Sequence, residues 1–245
     1  MYACRVLPFP ATRLSAVERL RSEDPVVRQA GFSDVADGYW RPAYYYLRVH
    51  WRLSAEAAED VVQGFFARAF EKGYLERYDP SKARFRTFLR TCLDRFVLNE
   101  RKAQRTLKRG GGVEIRSLDF PGAERDMERL SADAAAADRD QFFRGEMIRA
   151  LVGRTIEAMR EGYRREGRSI VFDAFERHDL SAAPDTTYAS VAAALGIPVT
   201  QVTNHLHAAR RRFRDEALAS LRALTATDEE FRAEARELFG LEVGR

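Results

Sequence analysis

The feature that most constrains the fold is a helix-spaced row of apolar side chains between residues 84 and 105. The row contains Phe85, Phe88, Leu89, Cys92, Leu93, Phe96 and Val97. Spacings of three and four residues place these side chains on one face of an α-helix, which must pack against other elements. No stretch of the sequence sustains the two-residue alternation of a β-strand. The sequence therefore predicts an all-α fold.

Helix-end signals divide the region before this row. The stretch from Tyr39 to Leu53 is rich in aromatic residues, and we expect it to be a helix with Pro42 near its first turn. Ser54 is a preferred N-cap residue. The helix that follows it should run to about Lys72 and end at Gly73, since glycine is favoured just beyond helix C-termini.

Positive charge is concentrated around the same apolar row. Ten lysine and arginine residues lie between Lys82 and Arg109 against two carboxylates, an excess of eight positive charges, whereas the whole chain has a net charge of +4. Cations interleaved with aromatic residues favour single-stranded nucleic acid, because cations follow the backbone and aromatic faces stack on unpaired bases. A solvated helix face would have the same composition. Most of the phenylalanines are expected in the core.

Composition argues against a membrane protein or a secreted one. No run of about 18 apolar residues is present to span a bilayer. The first ten residues contain Pro8 and Pro10 and lack the apolar stretch of a signal peptide. We therefore expect a soluble, cytoplasmic protein with no membrane partner.

The sequence also lacks the residue patterns of metal sites and common enzymes. Cys4 and Cys92 are far apart in the sequence and predict neither a disulfide framework nor a zinc site, and Cys92 is expected in the core. His205 and His207 would point in different directions on a helix. Motifs of P-loop NTPases, serine hydrolases, zinc proteases and zinc deaminases are absent. We expect no metal, no cofactor and no enzymatic activity.

Residues 188–214 have the pattern of a helix-turn-helix. The apolar side of a first helix ends at Gly196, which can adopt the positive φ of the turn. A second helix would bury Val202, Leu206, Ala209 and Phe213. Its outward residues, suited to base edges and phosphates, are Thr200, Gln201, Thr203, Asn204, His207, Arg210, Arg211 and Arg214. An ordinary helical hairpin with a solvated face would share this pattern.

Changes in composition predict four segments. Residues 1–30 contain several prolines and form an N-terminal extension, and residues 31–112 form a first small helical domain. Residues 113–140 are acidic and rich in alanine, which favours a flexible linker. Residues 141–245 form a second small helical domain that contains the helix-turn-helix.

Several of these stretches, in this order, resemble a known family. The segment 58–63 (Ala-Glu-Asp-Val-Val-Gln) with 66–70 (Phe-Ala-Arg-Ala-Phe), and the segment 78–89 with its Asp-Pro turn and Phe-Arg-Thr-Phe-Leu end, are similar to region 2 of bacterial RNA polymerase sigma factors of the extracytoplasmic-function (ECF) type. The helix-turn-helix resembles their region 4. Segments 9–13 (Phe-Pro-Ala-Thr-Arg), 108–112 (Lys-Arg-Gly-Gly-Gly) and 117–119 (Ser-Leu-Asp) resemble further signatures of a divergent ECF-like group.

The resemblance implies a role for each set of residues. The polymerase clamp would be bound by Glu59, Asp60, Gln63 and Phe66. The opened minus-ten element would be held by Tyr78, Lys82, Arg84, Arg86, Phe88, Arg90, Arg95, Asn99, Arg101 and Lys102, with the turn from Tyr78 to Arg84 accepting an unstacked base. The minus-thirty-five element would be read by the outward residues of the second helix of the helix-turn-helix, from Thr200 to Arg214.

The function implied is a sigma factor that joins core RNA polymerase, recognises and opens promoter DNA, and leaves catalysis to the polymerase. An anti-sigma factor or another regulator is a further candidate partner. The alternative is a helix-turn-helix transcription regulator that binds DNA without joining the polymerase. An enzyme acting on nucleic acid ranks third, because no cluster of carboxylates or histidines in the sequence supports it.

Overall fold

The computed structural model describes residues 14–104, 118–127, 138–181 and 186–241. Across these ranges the secondary structure is helical and no β-strand is present, so the predicted all-α class is confirmed. Segments 9–13 and 108–112, together with Cys4 and Ser117, lie outside the described residues. Among the helices of the described ranges, none combines the length and the apolar content needed to cross a membrane.

The helices are numbered along the chain. They are α1 (Ala16–Arg19), α2 (Pro25–His50), α3 (Ala55–Lys72), α4 (Phe85–Gln104), α5 (Phe120–Met127), α6 (Arg139–Arg165), α7 (Ser169–Phe175), α8 (Tyr188–Leu195), α9 (Val199–Ala223) and α10 (Asp228–Phe239). A 3-10 turn at Tyr74–Arg77 follows α3, and a π-helical turn at Glu176–Leu180 follows α7.

The described residues form two compact units. Unit 1 comprises those within residues 1–150 together with those within 221–245, and unit 2 comprises those within 151–220. The sequence predicted that the second domain starts at residue 141. In the structure, residues 141–150 and the C-terminal helix α10 belong to unit 1. The segment predicted as a linker contains the helix α5.

The ends of α3 follow from local chemistry, as the sequence predicted. The Ser54 side chain accepts a hydrogen bond from the backbone N–H of Ala57 at 3.2 Å, which satisfies one of the free donors of the first turn. At the other end Gly73 has φ 59° and ψ 25°, the left-handed conformation that glycine adopts without a steric penalty. Both ends of the predicted helix are confirmed.

The start of α2 differs from the prediction. The helix begins at Pro25, behind the N-cap Asp24, and Pro42 lies inside it rather than near its first turn. The prediction placed the start too late because a proline in a helix interior normally kinks or breaks the helix. Here the side chains around Pro42 are buried, including Ala43 and Tyr44, and tertiary packing supports the helix through that position.

The N-terminal extension contributes α1, which packs on α2. Ala16, Val17 and Leu20 are buried. A Cβ atom at Gly31 would lie 2.6 Å from the Cβ of Arg19 and 2.8 Å from the carbonyl oxygen of Ala16, so glycine at this position permits the close approach of the two helices.

The core of unit 1 is aromatic and lies between α2, α3 and α4. Its fully buried side chains include Tyr46, Leu47, Phe65, Phe66, Phe85, Leu89 and Leu93. The predicted apolar row of α4 therefore faces the core, although Phe88 and Cys92 are only partly buried. The same burial raises the pKa of the Cys92 thiol to about 11, so the thiol stays protonated at neutral pH.

Unit 2 has a separate core around the helix-turn-helix. Its buried members are Met159, Tyr163, Val171, Phe172, Ala174, Phe175, Val191, Ala192, Val202, Leu206 and Ala209, with Phe213 partly buried against them. The turn between α8 and α9 contains Gly196 at φ 65°, as its predicted role requires. A capping box formed by Thr187 and Ser190 fixes the start of α8.

Candidate functional site

The first candidate surface is the exposed side of α3. Asp60 and Gln63 are exposed, and the Gln63 amide donates a hydrogen bond to the Glu59 carboxylate at 3.4 Å. These three polar residues form one face that a partner can reach. Phe66 is fully buried, with ring centroids 5.1 Å from Phe65 and 6.3 Å from Phe32. Phe66 therefore supports this face from the core and does not present its ring to a partner.

The second candidate surface is the C-terminal half of α4. Its predicted DNA-contacting residues Arg95, Asn99, Arg101 and Lys102 are all exposed. The guanidinium of Arg101 lies 4.8 Å from the ring centre of Trp51, and its Nη2 donates to the Trp51 carbonyl oxygen at 3.3 Å. Such a cation on an aromatic face holds the arginine in place while leaving donors for a phosphate.

The carboxylate of Asp94 organises the middle of α4. It accepts hydrogen bonds from Tyr46 Oη and Trp51 Nε1, each at 2.8 Å, and from Arg90 Nη1 at 3.0 Å. Burial, followed by the hydrogen bond to Asp94, raises the pKa of Tyr46. Arg90 also contacts Asp140 at 3.3 Å, so this arginine is held between two carboxylates. Arg90 was predicted to contact the minus-ten element, but in the middle of α4 its side chain is held by contacts within the protein.

In the turn before α4 the aromatic ring of Tyr78 is packed against other rings. Tyr78 is buried, its hydroxyl donates to the Ala83 carbonyl at 2.9 Å, and its ring lies 5.1 Å from Phe85 and 5.4 Å from Phe88. Burial raises the pKa of Tyr78. The ring is therefore not open for stacking on a base in this structure.

An aspartate closes the same turn. The Asp79 carboxylate accepts hydrogen bonds from the backbone N–H and the hydroxyl of Ser81, at 3.0 and 2.7 Å, and lies 3.2 Å from Nζ of the exposed Lys82. The Ser81 hydrogen bonds, assisted by Lys82, lower the pKa of Asp79. This is the local side-chain-to-backbone bonding that favours a turn.

The first turn of α4 differs most from the sequence prediction. Arg86 is buried, and its guanidinium donates to Glu234 and to Glu237, each at 2.9 Å. Arg84 contacts the same two carboxylates. In place of the open basic surface predicted at Arg84 and Arg86, the structure has a cluster of ion pairs with α10. The charge count could not anticipate this, because the partners lie near the other end of the chain.

The third candidate surface is the outward face of α9. All eight outward residues predicted from the helix-turn-helix pattern are exposed, namely Thr200, Gln201, Thr203, Asn204, His207, Arg210, Arg211 and Arg214. Opposite them Val202, Leu206 and Ala209 are buried. The second helix of the motif therefore presents a continuous polar face, the arrangement by which such helices enter the DNA major groove.

Arg210, one member of this face, forms an ion pair within the protein. Arg210 donates to both carboxylate oxygens of Asp179, each at 2.7 Å, and Asp179 also contacts Nδ1 of His178 at 2.7 Å. The hydrogen bonds to Asp179 raise the pKa of Arg210. The pair lies at the start of the stretch 179–187, of which residues 182–185 lie outside the described residues. Sequence reasoning missed Asp179, since nothing local paired it with Arg210.

Comparison with known proteins identifies one part of the chain. Residues 38–106 match the family model for Sigma-70 region 2, a span that contains the second half of α2 and the whole of α3 and α4. No curated protein and no solved structure matches the chain. The match supports a sigma factor of the sigma-70 family, and with it a role in binding core RNA polymerase and recognising promoter DNA.

Proposed function

We propose that the protein is a sigma factor of the extracytoplasmic-function type that joins core RNA polymerase in the cytoplasm, recognises and melts promoter DNA, and starts transcription. The observation that carries the proposal is the Sigma-70 region 2 match at residues 38–106, which coincides with the helices that bear the first two candidate surfaces. The polymerase performs the catalysis, and the chain contributes binding and orientation.

The exposed face of α3 is the proposed polymerase contact. Glu59, Asp60 and Gln63 offer two carboxylates and an amide on adjacent turns, which suits a partner surface rich in arginine and lysine. Phe66 lies beneath this face and fixes the position of the helix backbone. The polymerase-binding and minus-ten functions are assigned to residues 31–112.

The exposed half of α4 is the proposed minus-ten contact. Arg95, Arg101 and Lys102 supply charge that attracts the phosphates of a melted strand, and Asn99 supplies an amide for a base edge. Arg90 has a scaffold role through Asp94. Arg84 and Arg86 can join the contact only when α10 releases them.

The exposed face of α9, in unit 2, is the proposed minus-thirty-five contact, and the proposed linker at 113–140 precedes it in the sequence. Amide side chains near the start of a recognition helix suit adenine edges, and Gln201 and Asn204 occupy those places. Arg211 and Arg214 are further along the helix, where phosphates are within reach.

The test is transcription in vitro with purified core polymerase, the full chain and a library of promoter fragments. A sigma factor co-purifies with the core enzyme and yields transcripts from a shared promoter sequence. Binding to duplex DNA without binding to core polymerase would overturn the proposal in favour of a helix-turn-helix regulator.

A further inference from the structure

The C-terminal helix α10 carries an acidic face that meets the start of α4 within unit 1. Glu230, Glu234 and Glu237 are spaced by four and three residues, so they share one side of α10. Glu230 accepts a hydrogen bond from the backbone N–H of Phe85 at 2.6 Å and a second from that of Ala226 at 2.8 Å. The first of these bonds caps the N-terminus of α4, where free backbone donors favour an anion.

The other two carboxylates bind arginine side chains. Glu234 and Glu237 each accept from Arg86 at 2.9 Å, and both contact Arg84. Glu237 also accepts from Arg144 at 2.9 Å. Three guanidinium groups and one helix N-terminus therefore converge on one row of carboxylates. The same donors, guanidinium groups and the N–H groups of a helix N-terminus, also bind the phosphates of a nucleic-acid strand.

The contact between α10 and the start of α4 leaves one buried carboxylate oxygen without a hydrogen bond among the described residues. Glu234 is buried, yet its Oε2 has no hydrogen-bond partner among the described residues. A small cavity beneath α10 is lined by Arg86, Glu230 and Glu234 together with apolar side chains such as Leu238. Buried charges lose much of their pairing energy to desolvation, so the polar half of this interface adds little to the apolar packing of α10.

We propose that α10 is an internal competitor of promoter DNA: its carboxylates occupy the arginines at the start of α4 and leave when the phosphates of the melted strand arrive. This inference rests on the proposed sigma-factor function. It gives the N-terminal end of α4 two alternative anionic partners, one in the same chain and one in the promoter. Formation of the open complex then requires that the ion pairs of Arg84 and Arg86 are exchanged.

The direct test is hydrogen exchange of the full chain, free and within a polymerase–promoter open complex. Amides of residues 228–239 should exchange slowly in the free chain and at least about tenfold faster in the open complex, because a released helix of this length is unstable in water. Continued protection of α10 in the open complex would overturn the inference.

A variant tests the same exchange of partners from the other side. Glu234→Gln/Glu237→Gln weakens the charge-assisted bonds to Arg84 and Arg86 and should increase the affinity of the holoenzyme for the promoter about tenfold. The matched control Glu229→Gln changes an exposed carboxylate of the same helix and should leave the affinity unchanged. An unchanged affinity in the folded double variant would overturn the inference; if the double variant does not fold, the exchange experiment decides.

The two levels of the argument fail differently. A chain that does not bind core polymerase overturns the proposed function, and this inference with it. An open complex that forms while α10 remains protected overturns this inference alone.

Discussion

The guanidinium of Arg86 and the carboxylate of Glu234 meet at 2.9 Å across 148 residues of sequence, with side chains that are 6% and 5% exposed. Both groups have left water almost completely. Their mutual attraction and hydrogen bonds must therefore compensate for a desolvation cost that exposed ion pairs do not have.

Removing one partner should be more damaging than replacing both. Arg86→Ala leaves the buried Glu234 with only its longer contact to Arg84, at 3.5 Å, so the free energy of unfolding should fall by about 3–5 kcal/mol, whereas Arg86→Met/Glu234→Leu should recover most of the loss. Urea unfolding followed by circular dichroism measures both values. Arg84→Ala is the control, because its more exposed side chain should contribute less than about 1 kcal/mol. Equal losses for the two single variants would mean that burial of Arg86 does not control its contribution.

The elements that the sequence predicted well are those fixed by neighbours in the chain. Ser54 and Gly73 delimit α3, and Gly196 makes the turn of the helix-turn-helix, because caps and left-handed glycines act over a few residues. The outward face of α9 was predicted for the same reason, since its apolar period of three to four residues determines which side is buried.

The features that the sequence did not predict depend on distant partners. Pro42 lies inside α2 because the packing around it supports the helix there. Local helix propensity contains no information about that packing. The excess of positive charge in α4 indicated an open surface. The spacing of the glutamates in α10 is also visible in the sequence. Neither pattern shows that Arg86 contacts Glu234. Arg210 and Asp179 are a second example of the same limit.

The buried carboxyl of Glu146 should make stability depend on pH. Burial raises the pKa of Glu146 to about 7, although Arg149 opposes the shift, and Glu146 Oε2 has no hydrogen-bond partner among the described residues. A raised carboxyl pKa means that the folded chain binds more protons than the unfolded chain between about pH 4.5 and 7. The free energy of unfolding should therefore fall as the pH rises through this window and stay lower above it.

Glu146→Gln tests this dependence, because glutamine cannot ionise. The variant should be more stable than the parent by roughly 1–3 kcal/mol at pH 8, and the difference should disappear towards pH 5. Urea unfolding at several pH values measures it. Glu157→Gln, at a solvent-exposed side chain, should show no such trend. If the free energies of unfolding of the unsubstituted protein and of Glu146→Gln changed with pH in the same way, the raised pKa of Glu146 would be contradicted.

The exposed face of α3 should decide polymerase binding. Asp60→Ala/Gln63→Ala removes two exposed polar groups without touching the core, so binding to core polymerase should weaken at least about tenfold while the helical circular-dichroism spectrum is unchanged. Glu71→Ala is a matched control on the same helix, about 12 Å beyond Gln63 along the helix axis. Affinity is measured by titrating labelled chain with core enzyme. Loss of binding by the control as well would show that helix charge matters and not this particular face.

Residues of α9 should separate into those that read sequence and those that hold the backbone. Gln201→Ala and Asn204→Ala remove amides suited to adenine, so each should cost about 1–3 kcal/mol at the preferred upstream sequence and little at others. Arg211→Ala and Arg214→Ala should weaken binding to all sequences alike and reduce the salt dependence by about one ion per arginine. Holoenzyme affinity for matched and scrambled upstream elements, measured at several salt concentrations, distinguishes the two effects. Arginine variants that changed the preferred sequence, or amide variants that changed only the salt slope, would reverse this division of roles.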